Sequence, residues 1–342
     1  MANLAAFIPS AKAPLVVREV ETYKPGPHDL LIKNEVIAIN PLDSNIANLD
    51  LFQSTYPLLI GGSFGGTVVE VGSQVTGYQV GDKVATFIPR IPDPEYAAYQ
   101  RYALIKDELA IRCQEGVDLS ALTSMTGNLS TVTGMFSGSF GLERPSLNGQ
   151  APPARGKKLL IYGGTSSLGS FSVQYLSQAG YAAVTTTSPR HSELVSKFGA
   201  QKVVDHTQDT EAVTKQLIAE GPYDYVIDCI STAPTVQITA AVLAAQGGGK
   251  INCLLPAFGP ETLPDGVSRE FNSWPMFLET EEKAELKRWT HETYLSEGLA
   301  KGKIIPLPVK KISGGLNNIN EAIELLWKGV SGVKLIVHPW EE

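Results

Sequence analysis

The densest chemistry in this chain is a glycine-rich loop set between two stretches of different periodicity. Lys158 to Tyr162 is short and continuously apolar, Gly163-Gly164-Thr165-Ser166-Ser167-Leu168-Gly169 follows, and Leu168, Phe171, Tyr175 and Ala179 then recur at helical spacing. A glycine loop placed between strand and helix suits a pyrophosphate, because the helix start offers unpaired N–H groups and the positive end of its dipole. Gly164, Thr165, Ser166, Ser167, Leu168 and Gly169 are therefore the expected phosphate contacts. The usual middle glycine is Ser166 here. Its side chain hinders close backbone approach slightly, while its hydroxyl could donate to a phosphate oxygen.

The second strand of this unit, Ala182 to Thr187, runs into Ser188-Pro189-Arg190-His191, with no acid before Glu193. Enzymes that bind the unphosphorylated dinucleotide place Asp or Glu here to hold both ribose hydroxyls. A hydroxyl and a guanidinium suit a 2′-phosphate instead, since Arg forms charge-assisted and bidentate bonds. Ser188 and Arg190 thus point to NADPH rather than NADH.

These groups need a βαβ framework, and the chain supplies one. Strand candidates Lys158 to Tyr162, Ala182 to Thr187, Tyr225 to Ile230 and Lys250 to Leu255 alternate with helical stretches such as Thr235 to Ala245, the pattern of an α/β doubly wound parallel sheet. Pro145 to Arg155 reads as an exposed connector before the first of these strands. From Leu15 to about Ile111 the pattern is different: short β-branched runs such as Leu30 to Ile39 and Gly66 to Val75, broken by turns, predict a β-barrel. The end, Ile304 to Pro339, reads as a strand-like IIPLPVKKI, a helix over Ile319 to Trp327 and a strand over Val333 to Val337. The expected division is 1–127 with 304–342 returning to it, and 128–303 as the dinucleotide-binding domain.

A chain of 342 residues exceeds what a single core usually serves, which agrees with two domains. Its formal charge of -7 argues against nucleic acid or an anionic membrane as the main partner. No apolar run is long enough to span a bilayer, and Met1 to Lys12 lacks the pattern of a signal peptide. Cys113, Cys229 and Cys253 are odd in number and far apart, so a reducing, cytoplasmic setting is expected.

The N-terminal motifs Asn40-Pro41-Leu42-Asp43, Pro57 to Gly61, Phe64 to Gly72 and Val80 to Val84 resemble the chaperonin-10-like domain of medium-chain dehydrogenases/reductases. With GGTSSLG, Thr185 to Ser188, Phe198-Gly199-Ala200 and Ser331 to Leu335 in family order, the resemblance covers nearly the whole chain. Within that superfamily the chain looks like the zinc-independent quinone-oxidoreductase and fungal trans-acting enoyl-reductase branch, including members that tailor polyketides.

That resemblance implies a reductase of an activated C=C bond in an enone, enoyl thioester or quinone, using NADPH, with a polyketide synthase as an optional partner and a homodimer as an optional state. It places Asn40, Asp43 and Asn45 near the nicotinamide, Thr131 near its carboxamide, and Leu254 and Leu255 behind the ring. Metal-dependent relatives need Cys and His ligands; Asn40 lies where the first zinc Cys would, and Gly62 and Ser63 where a His-Glu pair would. No metal site is expected. His28, His191, His206, His291 and His338 read as surface or turn residues, with His191 and His206 bordering the adenosine. Related enzymes often carry Lys or Tyr in place of Asn45 and an acid in place of Ser63. Asn cannot supply a proton near neutral pH, although it can donate a hydrogen bond to an oxyanion. A non-redox cyclase or isomerase on the same scaffold, or a partner-binding module that retains NADPH, is the alternative.

Overall fold

The computed structural model describes residues 2–51 and 55–341. The chain divides into two compact units, Met1–Ser130 with Glu285–Glu342, and Thr131–Ala284.

In the first unit the order is β1 (Ala2–Ile8), β2 (Val16–Glu21), β3 (Asp29–Ala38), α1 (Pro41–Leu49), β4 (Leu58–Leu59), β5 (Ser63–Val71), β6 (Lys83–Phe87), β7 (Tyr102–Lys106), β8 (Ile111–Arg112) and α2 (Leu119–Thr133), whose last turn already belongs to the second unit. β3 is the central strand, pairing antiparallel with β5 and β7. Its pairing with β5 shifts register twice, between Leu31 and Ile32 and between Asn34 and Val36. Such irregularities bend a sheet and help it curl. Inward residues Ile32, Ile37, Phe64, Val68 and Val84, together with Tyr99, fill the core. A separate antiparallel sheet has the order β2-β1-β4.

The second unit reads β9 (Lys158–Tyr162), α3 (Ser167–Gln178), β10 (Ala182–Thr187), α4 (Ser192–Lys197), β11 (Lys202–Asp205), α5 (Thr210–Glu220), β12 (Tyr225–Asp228), α6 (Ala233–Ala245), β13 (Gly249–Cys253) and β14 (Val267–Phe271). Its six strands are parallel in the order β11-β10-β9-β12-β13-β14. Strand order therefore reverses between β9 and β12, the point at which a doubly wound sheet opens a ligand crevice beyond its strand ends. β14 is not among the strands expected from the sequence; only half-buried and bearing Arg269 and Glu270, it has no apolar signature to betray it. The predicted strands at Tyr225 and Lys250 stop at Asp228 and Cys253, where the chain turns.

The remainder comprises α7 (Ala284–Arg288), a π-helical segment Trp289–Glu297, α8 (Gly298–Ala300), β15 (Val309–Ile312), α9 (Ile319–Lys328) and β16 (Lys334–Val337). Residues 285–303, expected with the dinucleotide-binding unit, belong to the first unit. β16 pairs antiparallel with β3, Ile336 opposite Ala38, and β15 pairs parallel with β16. The strand expected from Ile304 begins only at Val309, because Pro306 and Pro308 have no N–H to give to a ladder.

β3 and β5 approach closely at Gly66, where an added Cβ would lie 2.0 Å from the Lys33 carbonyl oxygen. Backbone on both sides cannot yield cheaply. Gly66→Ala should therefore cost about 2 kcal/mol or more of stability, read as a lower urea midpoint with an unchanged slope.

Candidate cofactor site and active site

The loop after β9 is built by close contact. Gly163 takes a φ of +90°, its N–H donates to Thr186 Oγ1 at 2.9 Å, and the Gly164 N–H donates to the Thr186 carbonyl at 2.8 Å. A Cβ at Gly164 would lie 2.3 Å from Thr185 Oγ1, and one at Gly169 2.2 Å from the Gly163 carbonyl. Both glycines thus let loop, helix and strand pack together. Ser166 is the N-cap of α3, its Oγ accepting from the Gly169 N–H at 3.0 Å. That leaves its own O–H as a donor, while the Ser167 and Leu168 N–H groups lie in the first turn and have no intrahelical acceptor. Thr165 Oγ1 lies 3.2 Å from Thr187 Oγ1, tying the loop to the end of β10.

The end of β10 carries polar groups with unused capacity. Ser188 Oγ and His191 Nε2 are both buried without a hydrogen-bond partner, a state that costs roughly 1–3 kcal/mol per group unless a ligand satisfies it. Arg190 is exposed beside them. Burial, and then the Arg190 charge, hold His191 below its ordinary pKa. His206 follows β11, its N–H donating to the Thr187 carbonyl at 3.2 Å, so Ser188, Arg190, His191 and His206 all lie at the ends of two adjacent strands. This set fits the phosphate-bearing end of a dinucleotide.

Beyond β12, Asp228 organises the next turn. Its carboxylate accepts from the Ile230 N–H at 2.9 Å, the Ser231 N–H at 2.8 Å and Thr235 Oγ1 at 2.6 Å. Ser231, at a φ of +60°, in turn accepts the Leu254 N–H on its Oγ at 2.8 Å. Arg269 of β14 donates to the carbonyls of Ser231, Leu255 and Pro256 at 3.2, 2.8 and 3.1 Å and pairs with Glu261. Leu254 and Leu255 are expected from the sequence, whereas the residues that hold them, Ser231 and Arg269, are not.

The first unit carries a buried polar cluster. Asp43 Oδ2 accepts from the Asn40 N–H at 2.8 Å at the start of α1. The Asn40 side chain turns elsewhere: Lys334 Nζ donates to its Oδ1 at 2.7 Å, and its Nδ2 donates to Ser63 Oγ at 3.1 Å. Asp43, Ser63 and Lys334 are all buried. Burial pushes the Asp43 carboxyl up to about 6, against the Asn40 N–H and the Lys334 charge. Burial also pulls the Lys334 ammonium down to about 8, and Asp43 opposes it. Near pH 7 the pair is therefore ionised. The Tyr99 hydroxyl is buried and senses Asp43, but makes no hydrogen bond of sound geometry.

Asn40 and Asp43 are thus brought together, whereas Asn45, two residues further along α1, is buried outside this set of bonds. Thr131 lies near the C-terminal end of α2. His291, expected on a surface or turn, is instead buried in the π-helical segment with Nε2 3.2 Å from Ser130 Oγ. Burial and Lys287 hold its pKa down to about 4, so it is neutral. Among the described residues no three His, Cys, Asp or Glu side chains form a group able to hold a metal ion.

Residues 26–137 match the alcohol dehydrogenase GroES-like domain and residues 167–253 the zinc-binding dehydrogenase family. A dehydrogenase of Aspergillus niger, azaJ, is 30% identical, with 98% of each chain covered. The chain belongs to the medium-chain dehydrogenase/reductase superfamily, in its fungal enoyl-reductase-like branch. The trans-enoyl reductase himH of Aspergillus japonicus is 29% identical over 98% of this chain and 97% of its own. LovC of Aspergillus terreus, the enoyl reductase component of lovastatin nonaketide synthase, is 28% identical, with 90% and 88% covered. The fold is shared with the CurK enoyl reductase, at a TM-score of 0.74 and 17% identity over 98% and 99% of the two chains. It is shared also with a Pseudomonas syringae quinone oxidoreductase, at 0.75 and 19% over 99% and 100%. This is an oxidoreductase family whose cofactor is a nicotinamide dinucleotide. No helix among the described residues is long and apolar enough to cross a membrane.

The Asp43 carboxyl gives a test with a definite sign. Its folded pKa of about 6 lies above the ordinary value, so the folded protein holds the extra proton. Its contribution to stability should fall by about 3 kcal/mol at most as pH rises from about 4 to about 6. Denaturation of wild type and Asp43→Asn across that range checks this: the gap should move against wild type with rising pH, and a constant gap would contradict the assignment.

Proposed function

We propose that this protein is an NADPH-dependent reductase of conjugated C=C bonds, acting without zinc in fungal secondary metabolism and serving a polyketide synthase in trans. The observation that carries the cofactor choice is the end of β10, where Ser188 Oγ and His191 Nε2 are buried and unpaired beside an exposed Arg190. A 2′-phosphate would satisfy the two buried groups and pair with the guanidinium, whereas β10 itself ends without the Asp or Glu that would accept from a bare ribose hydroxyl. Gly164, Thr165, Ser166, Ser167, Leu168 and Gly169 would hold the pyrophosphate, with the Ser166 O–H and the first-turn N–H groups as donors. Leu254 and Leu255, fixed through Ser231 and Arg269, would back the nicotinamide, and Thr131 would bond its carboxamide.

When bound, the dinucleotide supplies the hydride. The protein's own task is to position an acceptor and stabilise the negative charge that develops on its carbonyl oxygen. Asn40 is the donor proposed for that oxygen, and Asp43 holds the backbone that presents it. Asn45 would line the acceptor side. Zinc independence is supported by residue chemistry: Asn40, Gly62 and Ser63 are not the soft or anionic ligands that zinc demands. The names of himH and lovC support the substrate class and the synthase partner.

Arg190→Ala should weaken NADPH by about tenfold or more, the worth of a charged hydrogen bond, while NADH binding changes little. Calorimetric titration with both dinucleotides measures this, and an equal loss for the two would remove the argument. Elemental analysis of the purified enzyme should find no stoichiometric zinc, and a strong chelator should leave enone-dependent NADPH oxidation intact.

A further inference from the structure

Lys334 is a charged side chain inside an apolar strand, and nothing assigned so far requires it. It is 4% exposed, and burying an ammonium is expensive unless its protons are used. One of them is given to Asn40 Oδ1 at 2.7 Å. Lys has donors only, so this bond dictates which way the Asn40 amide faces: oxygen toward Lys334, nitrogen away. One Nδ2–H then goes to Ser63 Oγ at 3.1 Å, while the other makes only a long 3.4 Å contact with the Ala38 carbonyl. A neutral contact of that length is readily exchanged for an anionic oxygen.

We infer that Lys334 is the positioning residue of the reduction site, a buried cation that orients and polarises the Asn40 amide so that its second N–H can donate to the acceptor's developing oxyanion. The inference deepens the proposed reductase reading and rests on it. The bookkeeping is simple. Hydride adds to the β-carbon of the enone, the C=C electron pair shifts to the α-carbon and carbonyl, the oxygen becomes negative beside Asn40 Nδ2, and a solvent proton later completes the α C–H bond. Lys334 loses nothing in the cycle.

The charge that acts on the Lys334 ammonium is the Asp43 carboxylate of α1, with the Tyr99 hydroxyl beside that carboxylate. Lys310 and Lys311 of the neighbouring β15, and Glu321 and Glu324 of α9, are exposed to solvent. The field at Asn40 is therefore set mainly by the buried pair. With the ammonium pulled down to about 8, the orienting charge is present near neutral pH and is lost as pH rises through that value.

The experiment compares wild type, Lys334→Met and Lys334→Arg in three measurements: NADPH affinity by calorimetry, kcat/KM with an enone series from about pH 6 to pH 10, and absorbance of 4-nitrophenol, whose ionised form mimics the oxyanion. The expected result is NADPH affinity within about twofold for all three proteins. In wild type, kcat/KM should fall as pH rises through about 8. In Lys334→Met it should be lower by about tenfold or more without that limb, and Lys334→Arg should recover much of the rate with the limb displaced upward. Wild type should draw bound 4-nitrophenol toward the phenolate, and Lys334→Met should not. A Lys334→Met enzyme with wild-type kcat/KM, pH profile and phenolate binding would overturn the inference, as would a wild type that binds no phenolate. If Lys334→Met fails to fold, as circular dichroism would reveal, a Lys334→Arg protein that folds but keeps the alkaline limb near 8 overturns it equally. A wild type that binds dinucleotide but oxidises none with any enone would fail the reductase reading instead, and phenolate binding lost with Lys334 would still support the positioning role.

Discussion

Close backbone packing around the turn from β9 to α3 is the constraint on which the dinucleotide-binding unit depends. The Gly169 Cα faces the Gly163 carbonyl and the Gly164 Cα faces Thr185, each at a distance that excludes any side chain. Only that approach brings the first turn of α3, with its unpaired N–H groups, up against the ends of β9 and β10. The side chains beyond β10 and β11 then fall at one end of the sheet because the strands are parallel and in register, Thr187 opposite Asp205. The glycine loop and the side chains beyond β10 and β11 are thereby brought to one end of the sheet by a single packing decision.

The first unit solves a different problem, keeping charge where no water can reach it. Asp43 and Lys334 come from α1 and β16, some 290 residues apart in the chain, and neither would be stable alone at such burial. They share Asn40: its backbone N–H serves the carboxylate and its side-chain oxygen serves the ammonium. Opposite charges therefore meet through one residue rather than by direct contact, and that residue's amide has no freedom to flip. A polar cluster of this kind is costly to build, and it makes sense where a fixed donor is needed for chemistry.

Departures from the ordinary family pattern take on meaning in this light. Ser166 in place of a middle glycine keeps the helix cap and still leaves a donor, so the substitution alters the loop without dismantling it. Asn40 and Ser63, where zinc ligands were expected to be missing, are bonded to each other. His291, the most deeply buried of the histidines, is neutral and held by Ser130, and so belongs to packing.

How far the residues alone could be read depended on the range of the interactions involved. Strands β9 and β10, helices α3 and α6, the glycine loop and the Ser188–Arg190 end were legible because each is local: periodicity, turn chemistry and a motif of a few residues carry them. β14 was missed because an edge strand with charged residues has no apolar period, and its pairing with β13 is a tertiary fact. Lys334 stands in the Ser331 to Leu335 motif, yet its place is invisible there, since what matters is that antiparallel pairing of β16 with β3 delivers its ammonium to Asn40. Arg269 was likewise silent until three carbonyls converged on it. The sequence by itself determined where the glycine loop and its flanking strand and helix lie, since those follow from bonds between near neighbours. Tertiary structure alone decided which distant charges are buried together, because the cost of removing a charge from water depends on everything that surrounds it.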